Sequence, residues 1–138
     1  MKAPNFKLPF INKEGTYSLT DDLGKIIIIS FWTSWCPECG TDLPKKEQLY
    51  HSIDKNKVKM LTINVAGRER NQMDPIDYTS KFLSQTTLID KGRDTYDKFD
   101  CKGVPTTIII NSTGEIHSHF DDKSDFLQIV KSLGQLIV

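Results

Sequence analysis

Ile26-Ile27-Ile28-Ile29-Ser30-Phe31-Trp32-Thr33-Ser34-Trp35-Cys36-Pro37-Glu38-Cys39 changes character part-way along. Ile26 to Trp32 is an almost unbroken β-branched and aromatic run, the pattern of a strand buried on both faces and therefore central in a helix-covered sheet. From Pro37 to about Ile53 the chain becomes helix-compatible, with Leu43, Leu49, Tyr50 and Ile53 as apolar positions. Pro37 suits the first helical turn, and Pro44 is expected to bend the helix. A buried strand that hands over directly to a helix is half of an α/β unit.

The rest of the chain fits around it. Phe6, Leu8 and Phe10 alternate, Asn12 to Gly15 reads as a turn and Tyr17 to Leu19 as a returning strand, so an N-terminal hairpin is expected. Val58 to Val65, Thr86 to Ile89 and Thr106 to Ile110 read as further strands. Pro75 to Leu83 reads as a short amphipathic helix with Ile76, Phe82 and Leu83 as core positions, and Asp94 to Phe99 as another helix. A turn at Ser112 to Gly114 leads into a strand from Glu115 to Phe120. A last helix then buries Phe126, Ile129, Val130, Leu133 and Ile137. Strands alternating with helices, then a hairpin and a closing helix, imply an α/β fold: a central mixed sheet with helices on both faces.

The 138 residues carry no repeat or Pro/Gly/Ser-rich linker, so residues 1–138 are expected to form a single domain. Hydrophobic residues make up 38% of the chain, lean for a globular protein but far from a disordered composition. Eighteen basic and eighteen acidic side chains cancel, which argues against nucleic acid or acidic lipid as a partner. Charge is interspersed, with only short runs such as Lys45-Lys46 and Asp121-Asp122. The longest purely apolar stretch is Ile26 to Ile29, far short of a membrane span, and no long apolar segment follows Met1 and Lys2.

Three cysteines are too few for a disulfide scaffold, but two of them are three residues apart. Cys36 and Cys39 share one helix face, so they can close a disulfide or hold two thiols side by side. At the helix N-terminus, unpaired N–H groups and the dipole favour a Cys36 thiolate, making it the expected nucleophile. Cys39, one turn in and more buried, is expected to resolve the mixed disulfide by attacking Cys36. The alternatives are two inert core thiols or half of a zinc site, with only Cys101 and the dispersed His51, His117 and His119 to complete it. His117 and His119 share a strand face, read either as a metal pair or as a solvated face. Cys101 reads as a core thiol.

Phe31-Trp32-Thr33-Ser34-Trp35-Cys36-Pro37-Glu38-Cys39, Asp42-Leu43-Pro44 and Gly103-Val104-Pro105-Thr106-Thr107 resemble the signature blocks of thioredoxin-like thiol-disulfide oxidoreductases. The similarity is to their ResA-like and TlpA-like, AhpC/TSA-related branch, some members of which serve cytochrome c maturation. The resemblance implies a thioredoxin fold with an N-terminal β-hairpin and a central helical insertion. It also implies that Pro105 is a cis-proline beside the disulfide and that the Val104 backbone pairs with an extended substrate segment. Trp35 corresponds to the aromatic residue before the nucleophile, and Pro44 to the proline of the active-site helix, whereas Trp32 reads as core. Trp35, Pro37, Glu38, Val104 and Pro105 thus become the expected substrate-binding surface.

The chain departs from thioredoxin itself at Ser30, where thioredoxins carry a buried aspartate. The ResA-like branch instead places a carboxylate three residues after the second cysteine. Asp42 fills that place here, as either the base that activates Cys39 or a solvent-facing charge. Glu38, between the cysteines, disfavours a thiolate and leans the pair toward a reductant or mild exchanger. Exchange of disulfides with a disulfide-containing protein substrate and a thiol electron donor is therefore expected. It would need no cofactor beyond the Cys36-Cys39 disulfide and is expected of a monomer. A metal-binding or metal-delivery module is the alternative. A peroxiredoxin is disfavoured because its motif proline would fall at Ile29. By resemblance the location is extracytoplasmic, in the cell envelope, with anchoring through a segment outside this chain as one form of it; the cytoplasm is the alternative.

Overall fold

In the computed structural model, which describes residues 1–137, the all-isoleucine strand lies in the middle of a five-stranded mixed sheet. A small antiparallel hairpin, β1 (Lys7–Pro9) and β2 (Thr16–Ser18), comes first, followed by one 3-10 turn. Then follow β3 (Ile26–Trp32), α1 (Pro37–Ser52), β4 (Val58–Asn64), α2 (Met73–Phe82), β5 (Thr86–Ile89), α3 (Asp94–Lys98), β6 (Thr106–Ile110), β7 (Ile116–Phe120) and α4 (Phe126–Leu136). The sheet order is β5-β4-β3-β6-β7, with β3 parallel to β4, β4 parallel to β5, and β6 antiparallel to both β3 and β7. The α2 segment fills the long passage from β4 to β5.

Every residue of β3 is buried, as a strand covered on both faces must be. Its side chains alternate between two apolar layers. Ile27, Ile29 and Phe31 join one with the hairpin's Leu8 and Tyr17 and α3's Tyr96. Ile26 and Ile28 join the other with Ile129 and Leu133 of α4 and, partly buried, Leu49 and Tyr50 of α1 and its C-cap Ile53. The N-terminal segment ties down both sheet edges: Ala3 N–H donates to the Gly114 carbonyl and Ile11 N–H to the Thr87 carbonyl, both at 3.0 Å. Asp125 caps α4 by accepting from Leu127 N–H, while the Gln128 side chain accepts from Asp125 N–H.

Two expected core positions are corrected. Phe82 is 60% exposed, because Tyr78, one turn earlier, packs on Trp32 with ring centroids 5.1 Å apart and Phe82 lies outside it, 4.9 Å from Tyr78. Ile137 is exposed because α4 ends at Leu136, leaving Ile137 as its cap. The helix runs through Pro44 without interruption.

Candidate active site

Cys36 is the N-cap of α1, in extended conformation, with Pro37 in the first helical position. That geometry aims its sulfur at the open N–H groups of the first turn, and Sγ accepts from Cys39 N–H at 3.1 Å. The Cys36 thiol also lies 3.5 Å from the Val104 carbonyl and 3.6 Å from Glu38 Oε2. Its single proton can serve one of these acceptors at a time. The Val104–Pro105 peptide bond is cis. The sheet register explains the proximity: Thr106 pairs with Phe31, so the residues just before β6 lie beside the loop that leaves β3.

Both cysteines are free thiols and buried, Cys39 more deeply. Burial pushes the Cys36 thiol above its ordinary value. The Cys39 side chain and N–H pull it back, and Glu38 pushes it up again by hydrogen bond and by charge. The expected effect of the helix end is therefore present but smaller than desolvation, so a net lowered Cys36 value is corrected. Glu38 acts in the expected direction. Burial also pushes Cys39 up, strongly, with its bond to Cys36 and the charge of Asp42 acting the same way.

Asp42 is neither a free surface charge nor alone. Its Oδ2 lies 2.7 Å from Nζ of Lys46, one helical turn further on, and its side chain keeps 15% exposure. Lys46 has none: the Lys45-Lys46 pair, a short charge run in the sequence, splits into an exposed Lys45 and a wholly buried Lys46. The Lys46 ammonium also donates to the Thr107 hydroxyl of β6 at 2.5 Å. Thr107 pairs directly with Ser30 of β3, whose buried hydroxyl has no partner among the described residues. Ser30, Thr107 and Lys46 thus meet on the sheet face that α1 covers.

A second cluster, which no motif announces, holds the loop before Cys36. Glu69, just past a 3-10 turn at Ala66–Arg68, accepts from Ser34 N–H at 2.6 Å, Ser34 Oγ–H at 2.7 Å and Asn64 Nδ2–H at 2.6 Å. The Trp35 indole N–H donates to the Arg68 carbonyl at 2.8 Å, and the Arg70 guanidinium lies 5.1 Å from the Trp35 ring centre. Trp35 is 37% exposed, whereas Trp32 is wholly buried and donates to Thr62. An open groove of about 280 Å³ runs from Glu38 and Asp42 past Pro105 to Asp122 and Phe126.

The other candidates lie apart. Cys101 is buried in the core beneath the hairpin, its thiol pushed up to about 12 chiefly by burial. His51 approaches Ser84, His117 bonds Gln135 at 3.0 Å, and both His117 and His119 point to solvent. Among the described residues, no three Cys, His, Asp or Glu side chains are grouped as metal ligands.

A dithiol at the start of the helix that leaves the middle strand of such a sheet defines the class of thiol-disulfide oxidoreductases. The chain belongs to the AhpC/TSA family, whose profile matches residues 1–119. It is 30% identical over 118 residues to sporulation thiol-disulfide oxidoreductase A of Bacillus subtilis, covering 83% of this chain and 72% of that protein. To the thiol-disulfide oxidoreductase ResA of Halalkalibacterium halodurans it is 32% identical over 115 residues, covering 83% of this chain and 64% of the relative. Among solved structures, StoA of Bacillus subtilis superposes with a TM-score of 0.79 at 25% identity, covering 95% of this chain and 97% of that one. A DsbE-like thiol:disulfide interchange protein of Chlorobium tepidum gives 0.81 at 24%, covering 96% of each. These neighbours share the thioredoxin fold expected from the sequence. Among the described residues, no helix is long and apolar enough to cross a membrane.

Proposed function

We propose that this chain reduces or exchanges disulfides of extracytoplasmic protein substrates, with cytochrome c maturation as one setting. The observation that carries this reading is the position of Cys36 Sγ, between the Cys39 N–H and the Val104 carbonyl, beside the cis Val104–Pro105 bond. An extended substrate segment lies along Val104 and Pro105, with Trp35, Pro37 and Glu38 at its rim. The Cys36 thiolate attacks one substrate sulfur, forming a mixed disulfide, and the other substrate sulfur leaves as a thiolate that takes a proton. Cys39 gives its proton to Asp42 and attacks Cys36 Sγ. The Cys36–Cys39 bond forms, the bond to substrate breaks, and the second substrate sulfur departs with the electron pair. Two electrons have then passed to substrate, and a thiol donor restores the dithiol. The disulfide is the only electron carrier this scheme requires, and a monomer suffices.

The burial of the pair supports the reducing direction. A strong oxidant needs a stabilised reduced form, usually a thiolate, and here burial and Glu38 both disfavour one at Cys36. The test is the reduction potential, by equilibration with dithiothreitol and glutathione buffers, together with Cys39→Ser as a trap for the mixed disulfide. A reversible two-electron couple below about −220 mV and a trapped adduct through Cys36 are expected. A value near roughly −120 mV would make the protein an oxidant. Absence of any reversible couple would overturn the exchange reading and favour metal binding at the cysteines.

A further inference from the structure

A lysine with no solvent exposure calls for an explanation, because an apolar side chain of similar length would fill the same space without desolvating an ammonium group. Lys46 follows Cys39 by seven residues and Asp42 by four, so all three lie along one face of α1. Its two partners, the Asp42 carboxylate and the Thr107 hydroxyl, hold Nζ between the redox helix and the sheet. The groups facing Cys39 are the Cys36 thiol, the Asp42 carboxylate and Lys46 from α1, the Thr33 backbone after β3, and Tyr78 from α2. Lys46 is the only cation among them. Its interaction with Cys39 is favourable to the Cys39 thiolate, and that of Asp42 is unfavourable.

We infer that Lys46 is a positioning residue for the resolving step, its ammonium holding the Asp42 carboxylate by the redox pair and supplying the charge against which the Cys39 thiolate forms. This rests on the exchange reading above and deepens it. Burial pushes the Lys46 ammonium below its ordinary value, and the Asp42 carboxylate at 2.7 Å, then Cys39, act against that shift. In this ion pair the pocket before the step holds Lys46 as ammonium, Asp42 as carboxylate and Cys39 as thiol, with zero net charge. The Cys39 proton passes to Asp42, and the ammonium now faces a thiolate across a neutral carboxylic acid. The net charge is still zero. Cys39 then bonds to Cys36 Sγ, the Cys36–substrate bond breaks, and the substrate thiolate leaves with the electron pair. Asp42, which lines the open groove, passes its proton to that thiolate or to water. With a neutral residue at position 46 the same transfer would have to occur in a pocket carrying an uncompensated negative charge.

The test uses 5,5′-dithiobis(2-nitrobenzoate) with the reduced protein, because the two cysteines then report separately. Attack by Cys36 releases one nitrothiobenzoate anion, and resolution by Cys39 releases the second. In Lys46→Met the first phase should stay within about twofold of the parent, while the second slows at least tenfold at pH 7 and its pH midpoint rises by about one unit or more. Lys46→Gln keeps donors and an acceptor for Asp42 and Thr107 but removes the charge, so it should show the same shift, and it decides the matter if Lys46→Met does not fold. A wild-type profile in Lys46→Gln would mean that only packing and hydrogen bonds are needed and would overturn the inference. So would an unchanged second-phase midpoint in folded Lys46→Met. If the wild-type protein releases no second nitrothiobenzoate, the exchange reading itself fails, which is a different result.

Discussion

Replacing Glu69 by alanine should loosen the active-site loop while leaving both cysteines in place. The carboxylate accepts three hydrogen bonds, from Ser34 N–H, Ser34 Oγ–H and Asn64 Nδ2–H, all between 2.6 and 2.7 Å. Bonds to a charged acceptor contribute roughly 1.5–3 kcal/mol each when they cannot be replaced. Ser34 is half-buried, so water can recover much of its two bonds. Asn64 has no exposure and retains only a long contact of 3.4 Å to the Trp32 carbonyl. The expected net loss is about 2–3 kcal/mol, which for a domain of this size lowers Tm by roughly 10 °C. Urea unfolding followed by far-UV circular dichroism measures it, since Trp35 fluorescence will itself respond to the loop. Glu69→Gln, which keeps one acceptor oxygen, should lose about half as much. A loss below about 0.5 kcal/mol in Glu69→Ala with an unchanged urea slope would refute the idea that this carboxylate anchors the loop.

Gly67 approaches the loop after β5 so closely that an added Cβ would lie 2.8 Å from the Gly92 carbonyl carbon, and its N–H donates to the Gly92 oxygen at 2.8 Å. Gly67→Ala should therefore cost about 1–3 kcal/mol by thermal denaturation, whereas a neutral result would show that the two loops can part freely. Burial raises both active-site thiols, so each stays protonated in the reduced form at neutral pH, and two protons accompany two electrons. The reduction potential should then fall by about 59 mV per pH unit from pH 6 to about 9; a break to half that slope near pH 7 would mean an exposed thiolate instead. A thiol raised on folding adds stability below the ordinary thiol value and loses it as pH climbs toward the folded value. The reduced form should accordingly lose stability relative to the oxidised form above about pH 8.5, as paired urea titrations would show.

The fold was legible where one pattern decided it. The unbroken apolar run of β3 could only be a strand covered on both faces, and Cys36-Pro37 marked where the helix begins. Phe82 was misplaced because helical periodicity names a face but not how deep it sits, and Tyr78 occupies the buried end of that face. Lys46 shows the converse. Cys39, Leu43, Lys46 and Tyr50 recur at helical spacing on the inner face, so the period placed the lysine inside while its chemistry argued for solvent. The i, i+4 distance from Asp42 was the available signal that its charge could be met. Glu69 left no signal, since its partners Ser34 and Asn64 belong to segments brought together only by strand pairing.

That pairing also explains why the site could form nowhere else on this chain. β4 runs parallel to β3, and Trp32 pairs with Asn64, so β4 ends where β3 ends and the turn carrying Glu69 emerges beside the cysteine loop. β6 runs antiparallel to β3, and Phe31 pairs with Thr106, so β6 begins at that same end and delivers Val104 and Pro105. One parallel and one antiparallel neighbour are needed to bring the exit of one strand and the entry of another to a single edge. The same registers set Thr107 opposite Ser30, within reach of Lys46. A slip of one residue between β3 and β6 would turn Thr107 to the opposite face and leave the buried ammonium with Asp42 as its one partner. The unusual burial of Lys46 and the placement of Pro105 beside Cys36 are therefore two consequences of one register.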